Sequence, residues 1–432
     1  MGFFSGEKLI VGYDLGDEYS QISYAYSEKG EAETLSQVAG EQIYNIPTVL
    51  CKKQNTNQWF FGREALRCEG DGILVKNLLS LALDGEPVII EGESYDPVAL
   101  LALFFKRTLG LLSRVGSKIT ALMVTCPRLD RGIVETLSCV VGGSQLKAGE
   151  IAFQSHAESF YGYLLRQPRE LWNYPALLFE LGQKNIRLYR TESNKKTKPK
   201  VVFIEEKEYA FPEYEPNAGE GNEISPEKQA KADEAFLKIA EEACGGGIIG
   251  SIFLIGDGFA EGWMKDSLRF LCRGRRVFQG NNLFSKGACS GMQERLAVSE
   301  AGKEHVFLGN DKLKANIGMK ILRQGEESYY ALLDAGVNWY EAERTVEVYV
   351  QDGNAFLLLL APLVGNAASG EKVGRSIQIV LEGLSGNVAR LRLHFFMKTE
   401  KCLMVEAEDL GFGEYRVPSG RVWKEEIEIY GG

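Results

Sequence analysis

The feature that most narrows the fold is an internal echo: VGYDLGDEYSQISYA near the start returns, far along the chain, as LLFELGQKNIRLYRT. Aligned, Tyr13-Asp14-Leu15-Gly16 faces Phe179-Glu180-Leu181-Gly182, with Asp14 and Glu180 standing 166 residues apart. Each copy reads as a strand, an acidic-Leu-Gly turn and a second strand. In the first copy Ile22, Tyr24 and Tyr26 are expected on one face and Ser23 and Ala25 on the other. One such hairpin is an ordinary acidic turn; two at domain spacing point to a duplicated unit. Glycine lets the turn pass closely and aim its N–H groups outward, which suits a phosphate. A third glycine element, SIFLIGDGFAEGWMKDSL, reads as a buried strand over 252–255, a turn at Gly256-Asp257-Gly258 and a helix over 259–271.

Between these elements, ALMVTCPRLDRGIVETLSCVVGG reads as a strand, a turn at Pro127 and an amphipathic helix, and YDPVALLALFFKRTLGLL as an apolar helix with Pro97 in its first turn. Composition shifts over 192–247: a basic run SNKKTKPK, a polar loop EYEPNAGEGNEISPE, then a helix opened by Pro226. The charge runs read as solvated faces and linkers. After about residue 310 the period becomes two. Leu391, Leu393 and Phe395 are expected inward with Arg390, Arg392 and His394 outward, and Leu403, Val405 and Ala407 oppose Met404, Glu406 and Glu408. The run 357–360 reads as a strand buried on both faces. The expected architecture is a two-lobed α/β domain over 1–304 (lobes of about 1–150 and 151–304), then an antiparallel β-sandwich over 311–432.

Charge and composition exclude several function classes. With 49 Lys and Arg against 59 Asp and Glu, the net charge of −10 leaves no basic face to displace counterions from nucleic acid. The longest apolar run, 355–364, is about half a membrane span. The N-terminus lacks a secretory signal, and Gly6 stands where a myristoylation signal has Ser or Thr. Among eight cysteines the closest pair is thirteen residues apart, so no C-x-x-C knuckle exists, and three histidines argue against a histidine-rich metal site. A cytoplasmic protein with reduced thiols and no membrane or nucleic-acid partner is expected.

Three glycine turns in this order, followed by a β-sandwich, resemble the DnaK-type seventy-kilodalton heat-shock chaperones and their actin-fold relatives, over almost the whole chain at low identity. DLGDEYS is similar to the family's first phosphate loop, FELGQKN to a degraded second one and LIGDGF to the adenosine loop. IPTVLCKKQNTNQWFFGREAL resembles the segment after the first hairpin, and MVTCPRLDRGIVETL the strand and helix connecting the lobes. GILVKNLLSL resembles the stretch that holds the catalytic lysine, here Lys76; ANIGMKILRQGEESYYALLDAG and KTEKCLMVEAEDLGFGE look like parts of the substrate-binding sandwich. The resemblance implies an actin-like ATPase fold taking ATP or ADP with magnesium. Asp14, Gly16, Asp17, Gly182, Lys184, Gly256 and Gly258 would hold the nucleotide, Asp14 would reach the metal through water, and Asp14, Lys76 and Glu180 would be the catalytic residues. It also implies a peptide-binding cleft near Leu322 and Phe356.

Departures from the family pattern weigh against turnover. Asp17 and Glu18 replace threonines beside the γ-phosphate, and an extra carboxylate about 4 Å from a phosphate oxygen costs on the order of 4 kcal/mol at an effective dielectric of 20. Gln183 and Lys184 replace glycines; at positive φ each would cost roughly 1–2 kcal/mol, although Lys184 could instead contribute charge to a phosphate. Ser155 falls where the family has a glutamate, and losing general-base assistance costs about 10²–10⁴ in rate. The 76 residues from Glu180 to Gly256 are too few for the subdomain that clamps adenine, and a helical lid after the sandwich is not expected. The expectation is a divergent chaperone-like protein with a degenerate ATPase domain, binding nucleotide weakly or not at all and acting through a protein or peptide partner on the sandwich. The alternatives are a slow ATPase built on Asp14, Lys76 and a rebuilt second loop, and another actin-fold use such as filament assembly or small-molecule phosphorylation. Asp14 as a simple hairpin acid and Lys76 as a surface lysine remain open, and His156 beside Ser155 reads as a packed side chain.

Overall fold

Two apolar strands that end in the echoed turns, Lys8–Leu15 and Ala176–Leu181, lie inside two six-stranded sheets of a computed structural model. It describes residues 8–429 apart from 39, 69, 117, 195–196, 215–224, 352–353, 364–373, 385–387, 413 and 415–416. The chain divides into two compact units, Met1–His305 and Val306–Gly432.

In the first sheet, Lys8–Leu15 pairs in parallel with Lys118–Cys126, which pairs in parallel with Glu150–Ser155. On its other side it pairs antiparallel with Tyr19–Ala25, which pairs antiparallel with Glu33–Thr34. The second sheet repeats the scheme. Ala176–Leu181 is parallel to Ser251–Ile255, itself parallel to Arg276–Gly280, and antiparallel to Asn185–Asn194, itself antiparallel to Lys200–Ala210. The echoed hairpins therefore occupy equivalent places in two sheets of one strand order.

Parallel strands covered on both faces bury nearly every side chain. Tyr19–Ala25 does the same after its first residue: Ser23 and Ala25 are as enclosed as Ile22 and Tyr24, so both faces of the strand are covered. Ser23 is satisfied there by Thr34 and Ser285 at 2.9 and 2.8 Å. Tyr26, expected on the face of Ile22 and Tyr24, lies just past the strand and is exposed. The helix Pro97–Gly110 begins with Asp96 accepting from Val98 N, Arg131–Gly143 with Asp130 accepting from Ile133 N, and His156–Leu165 with Ser155 accepting from Glu158 N.

The expected helix over 259–271 is interrupted. A 3₁₀ turn, Asp257–Glu261, ends at Gly262 with φ +76°, and an α-helix resumes only at Asp266–Leu271. Part of the expected linker is also ordered strand: SNKKTKPK ends Asn185–Asn194 and opens Lys200–Ala210, its middle residues 195–196 lying outside those described. The polar loop expected at 213–227 lies mostly outside them too, before the helix Pro226–Cys244.

Two four-stranded antiparallel sheets make up the C-terminal unit. One runs Glu326–Leu333, Ala315–Arg323, Ala355–Pro362, Arg375–Val380; the other runs Glu343–Gln351, Val388–Met397, Cys402–Asp409, Val422–Glu428. They share one core that includes Leu391, Leu393, Phe395, Leu403, Val405 and Ala407. Arg390, Arg392 and His394 point outward to Glu347, Glu408 and Glu343. The 357–360 run is buried on one face only: Leu358 and Leu360 enter the core while Leu357 and Leu359 are half-buried. No helix among the described residues is long and apolar enough to cross a membrane. The residues read for a myristoylation signal, 1–7, and Val364 at the end of the apolar run lie outside the described residues.

Candidate functional site

Both echoed turns close in the same way. Gly16 N donates to Tyr19 O at 3.2 Å, and Gly182 N donates to Asn185 O at 2.9 Å. A Cβ on Gly16 would lie 2.9 Å from that Tyr19 oxygen, so the close turn excludes a side chain. Gln183 and Lys184 complete the second turn without positive φ, and the backbone strain anticipated for them does not arise.

The two acids of the echo meet at a histidine. His156 Nε2 donates to Asp14 Oδ1 at 2.9 Å, and its Nδ1 lies 3.9 Å from Glu180 Oε1. The buried imidazole stacks on Phe284, centroids 3.8 Å apart and planes at 16°. The Tyr189 hydroxyl donates to Glu180 Oε2 at 2.9 Å, with Arg187 Nη1 at 3.7 Å from the same oxygen. Burial pushes the Tyr189 phenol well above its ordinary range, which keeps it a donor.

The remaining acids are also engaged. Asp17 accepts from the backbone N–H of Ser80 at 2.9 Å and from its hydroxyl at 2.5 Å. It thereby caps the helix Leu78–Asp84, whose own Asn77 supplies no side-chain cap. Glu18 accepts from Gln183 Nε2 at 2.6 Å, which ties the first turn directly to the second. Asp257 accepts from Asn45 and Asn281 at 2.8 and 2.9 Å, while Gln21 Nε2 donates to Asn45 Oδ1 and Asn281 O at 2.5 and 2.6 Å.

The glycines of the third element serve internal packing. Gly256, at φ +112°, brings its chain so close that a Cβ would lie 2.7 Å from Leu181 O; at Gly258 a Cβ would meet Tyr214 Oη at 2.1 Å. Lys76 and Lys184 are exposed, and no hydrogen bond or ion pair among the described residues ties Lys76 to Asp14 or Glu180. Asp14 is committed to His156, and among the described residues no group of three or more His, Cys, Asp or Glu is arranged to hold a metal. In the C-terminal unit, Leu322 is 67% exposed and pairs with Glu327, whereas Phe356 packs partly onto the core.

Sequence reasoning missed His156 as the link between the acids, and with it Phe284, Ser80, Gln21, Asn45 and Asn281. These come from segments far apart in the chain, and none carries a motif. Residues 31–310 match the family model described as "Family of unknown function (DUF5716) C-terminal", and residues 312–429 match "Domain of unknown function (DUF8552)". No curated protein matches the chain.

Proposed function

This chain belongs to the DUF5716 family, whose C-terminal model covers residues 31–310, and we propose that it is a divergent actin-fold, heat-shock-chaperone-like protein acting by protein binding, with a cleft that does not turn over nucleotide. The common strand order of the two sheets supports the two-lobed, duplicated part of this reading. One observation carries the functional part: Glu18 and Gln183 bond to each other from the two turns that would otherwise flank a phosphate. A phosphate entering there must break that bond and face both Asp17 and Glu18, each carboxylate opposing it by on the order of 4 kcal/mol at 4 Å and an effective dielectric of 20. Asp14, the acid that would reach the offsetting cation through water, is bonded to His156, and this supports the same reading. The two turns then serve as a fixed scaffold, and partner recognition falls to the C-terminal unit, where Leu322 stands exposed and offers an apolar contact for an extended peptide while Phe356 packs partly onto the core.

The test is direct. Full-length protein with ATP or ADP and magnesium, each at about 1 mM, the upper end of ordinary substrate affinities, is expected to show no thermal shift and no phosphate release. A bound nucleotide at a hundredfold excess over Kd would add about 2.7 kcal/mol of stability. Magnesium-dependent phosphate release that disappears in Asp14→Ala overturns the reading in favour of a slow ATPase.

A further inference from the structure

We propose that the unit Met1–His305 carries a second, separate binding site, for a small aromatic carboxylate, in a cavity at the N-terminal end of the strand Ala176–Leu181. The cavity has a volume of about 320 Å³. That is at the lower end of ligand pockets, about 300–1,000 Å³, and limits the occupant to one or two rings. Pro175 lies at its edge, and Gly182 follows the far end of the same strand, so at about 3.3 Å per residue the cavity sits about 20 Å from the echoed turns.

Its walls are aromatic. Tyr161 from the helix His156–Leu165 is buried, Tyr174 stands at the rim half in solvent, and Trp172 lies between a hydrogen bond and a ring contact that fix its plane. The indole N–H donates to Gln167 O at 3.2 Å, and the ring meets His305 edge-on with centroids 5.1 Å apart. Such rings favour a flat aromatic guest.

The charges select its sign. Arg169 is paired with Glu304 at 3.1 Å and Glu192 with Arg190 at 2.7 Å, while the Thr191 hydroxyl is bonded to the Ala176 backbone. Lys200, half-buried on the strand Lys200–Ala210, has no ion pair or side-chain hydrogen bond among the described residues. Its charge is felt by Glu304, which is itself bonded to Arg169, but it makes no direct bond there, and a carboxylate held beside it gains a charge-assisted hydrogen bond in a partly desolvated place.

Naphthoate and its neutral isostere naphthamide, titrated into the full-length chain under ligand-observed NMR, distinguish the possibilities. Saturable naphthoate binding is expected, with naphthamide about tenfold weaker; Lys200→Gln should remove that difference by weakening the acid alone. Tyr174→Ala, at the exposed rim, should weaken both probes, and circular-dichroism melts of each variant report that the fold is retained. Equal binding of acid and amide, naphthoate affinity unchanged by Lys200→Gln, or no saturable binding of naphthoate overturns the assignment.

Discussion

At Gly12 the strand Lys8–Leu15 and the helix Leu283–Leu296 approach so closely that a Cβ would lie 2.2 Å from Cys289 N and 2.3 Å from Ser285 O. Both are backbone atoms and cannot rotate aside, so the helix itself must shift. Gly12→Ala is therefore expected to destabilise the Met1–His305 unit by about 1–3 kcal/mol or more, seen as a lower urea midpoint; an unchanged midpoint would mean that the helix yields freely. Nothing near Gly12 announces this contact, because its partner lies 277 residues away in Cys289. The same holds at the site. Asp14 and Glu180 were legible as a repeated acid-Leu-Gly turn, but His156 was read only as a packed side chain. It is indeed packed, against Phe284, yet its bond to Asp14 depends on a pairing across 142 residues that no local pattern encodes.

Elements were legible wherever caps and periodicity agree, as at Asp96-Pro97 and Asp130. They failed where tertiary context decides. The stretch 259–271 reads as one helix from the sequence, but Gly262 takes the left-handed conformation and splits it. The second piece, Asp266–Leu271, has no side-chain cap of its own and borrows one from Asp233 on the helix Pro226–Cys244. That carboxylate accepts from the N–H groups of Lys265, Asp266 and Ser267 at 3.0, 2.7 and 3.0 Å, and from the Ser267 hydroxyl at 2.5 Å. Burial alone would push the Asp233 carboxyl up, but these donors together hold it below its usual range. A depressed carboxylate stabilises the fold above its unfolded pKa, about 3.9, and loses that contribution as pH falls through the lower folded value. Asp233→Asn should thus cost about 1 kcal/mol at neutral pH, and the gap to wild type should narrow as pH drops below about 4. Chemical denaturation across that range checks it; a gap constant with pH would show that the ionised form is not what the helix uses.

At the scale of the whole molecule, the echo pointed to the two hairpins that take equivalent places in two sheets of one strand order, and the change of period near residue 310 foretold the antiparallel sheets of the C-terminal unit. What neither revealed is how the hydrophobic interior is divided. Among the described residues, one core cluster of the C-terminal unit draws on Leu313 to Ile429, whereas three clusters of the other unit draw on residues between Ile10 and Met292. These clusters have no buried residue in common, so each can be probed by a substitution of its own. Leu391, fully buried in the strand Val388–Met397, is the clean probe. Leu391→Ala removes a buried side chain at a cost of about 2–5 kcal/mol, which for a unit of this size lowers its melting temperature by about 10 °C or more. Calorimetry of the full-length chain is expected to show two transitions, with only the one belonging to Val306–Gly432 moved by the substitution. The tryptophans assign them, since Trp339 and Trp423 report on that unit while Trp59, Trp172 and Trp263 report on the other. A single transition that shifts as a whole would mean that the two cores, though built from separate residues, stand or fall together.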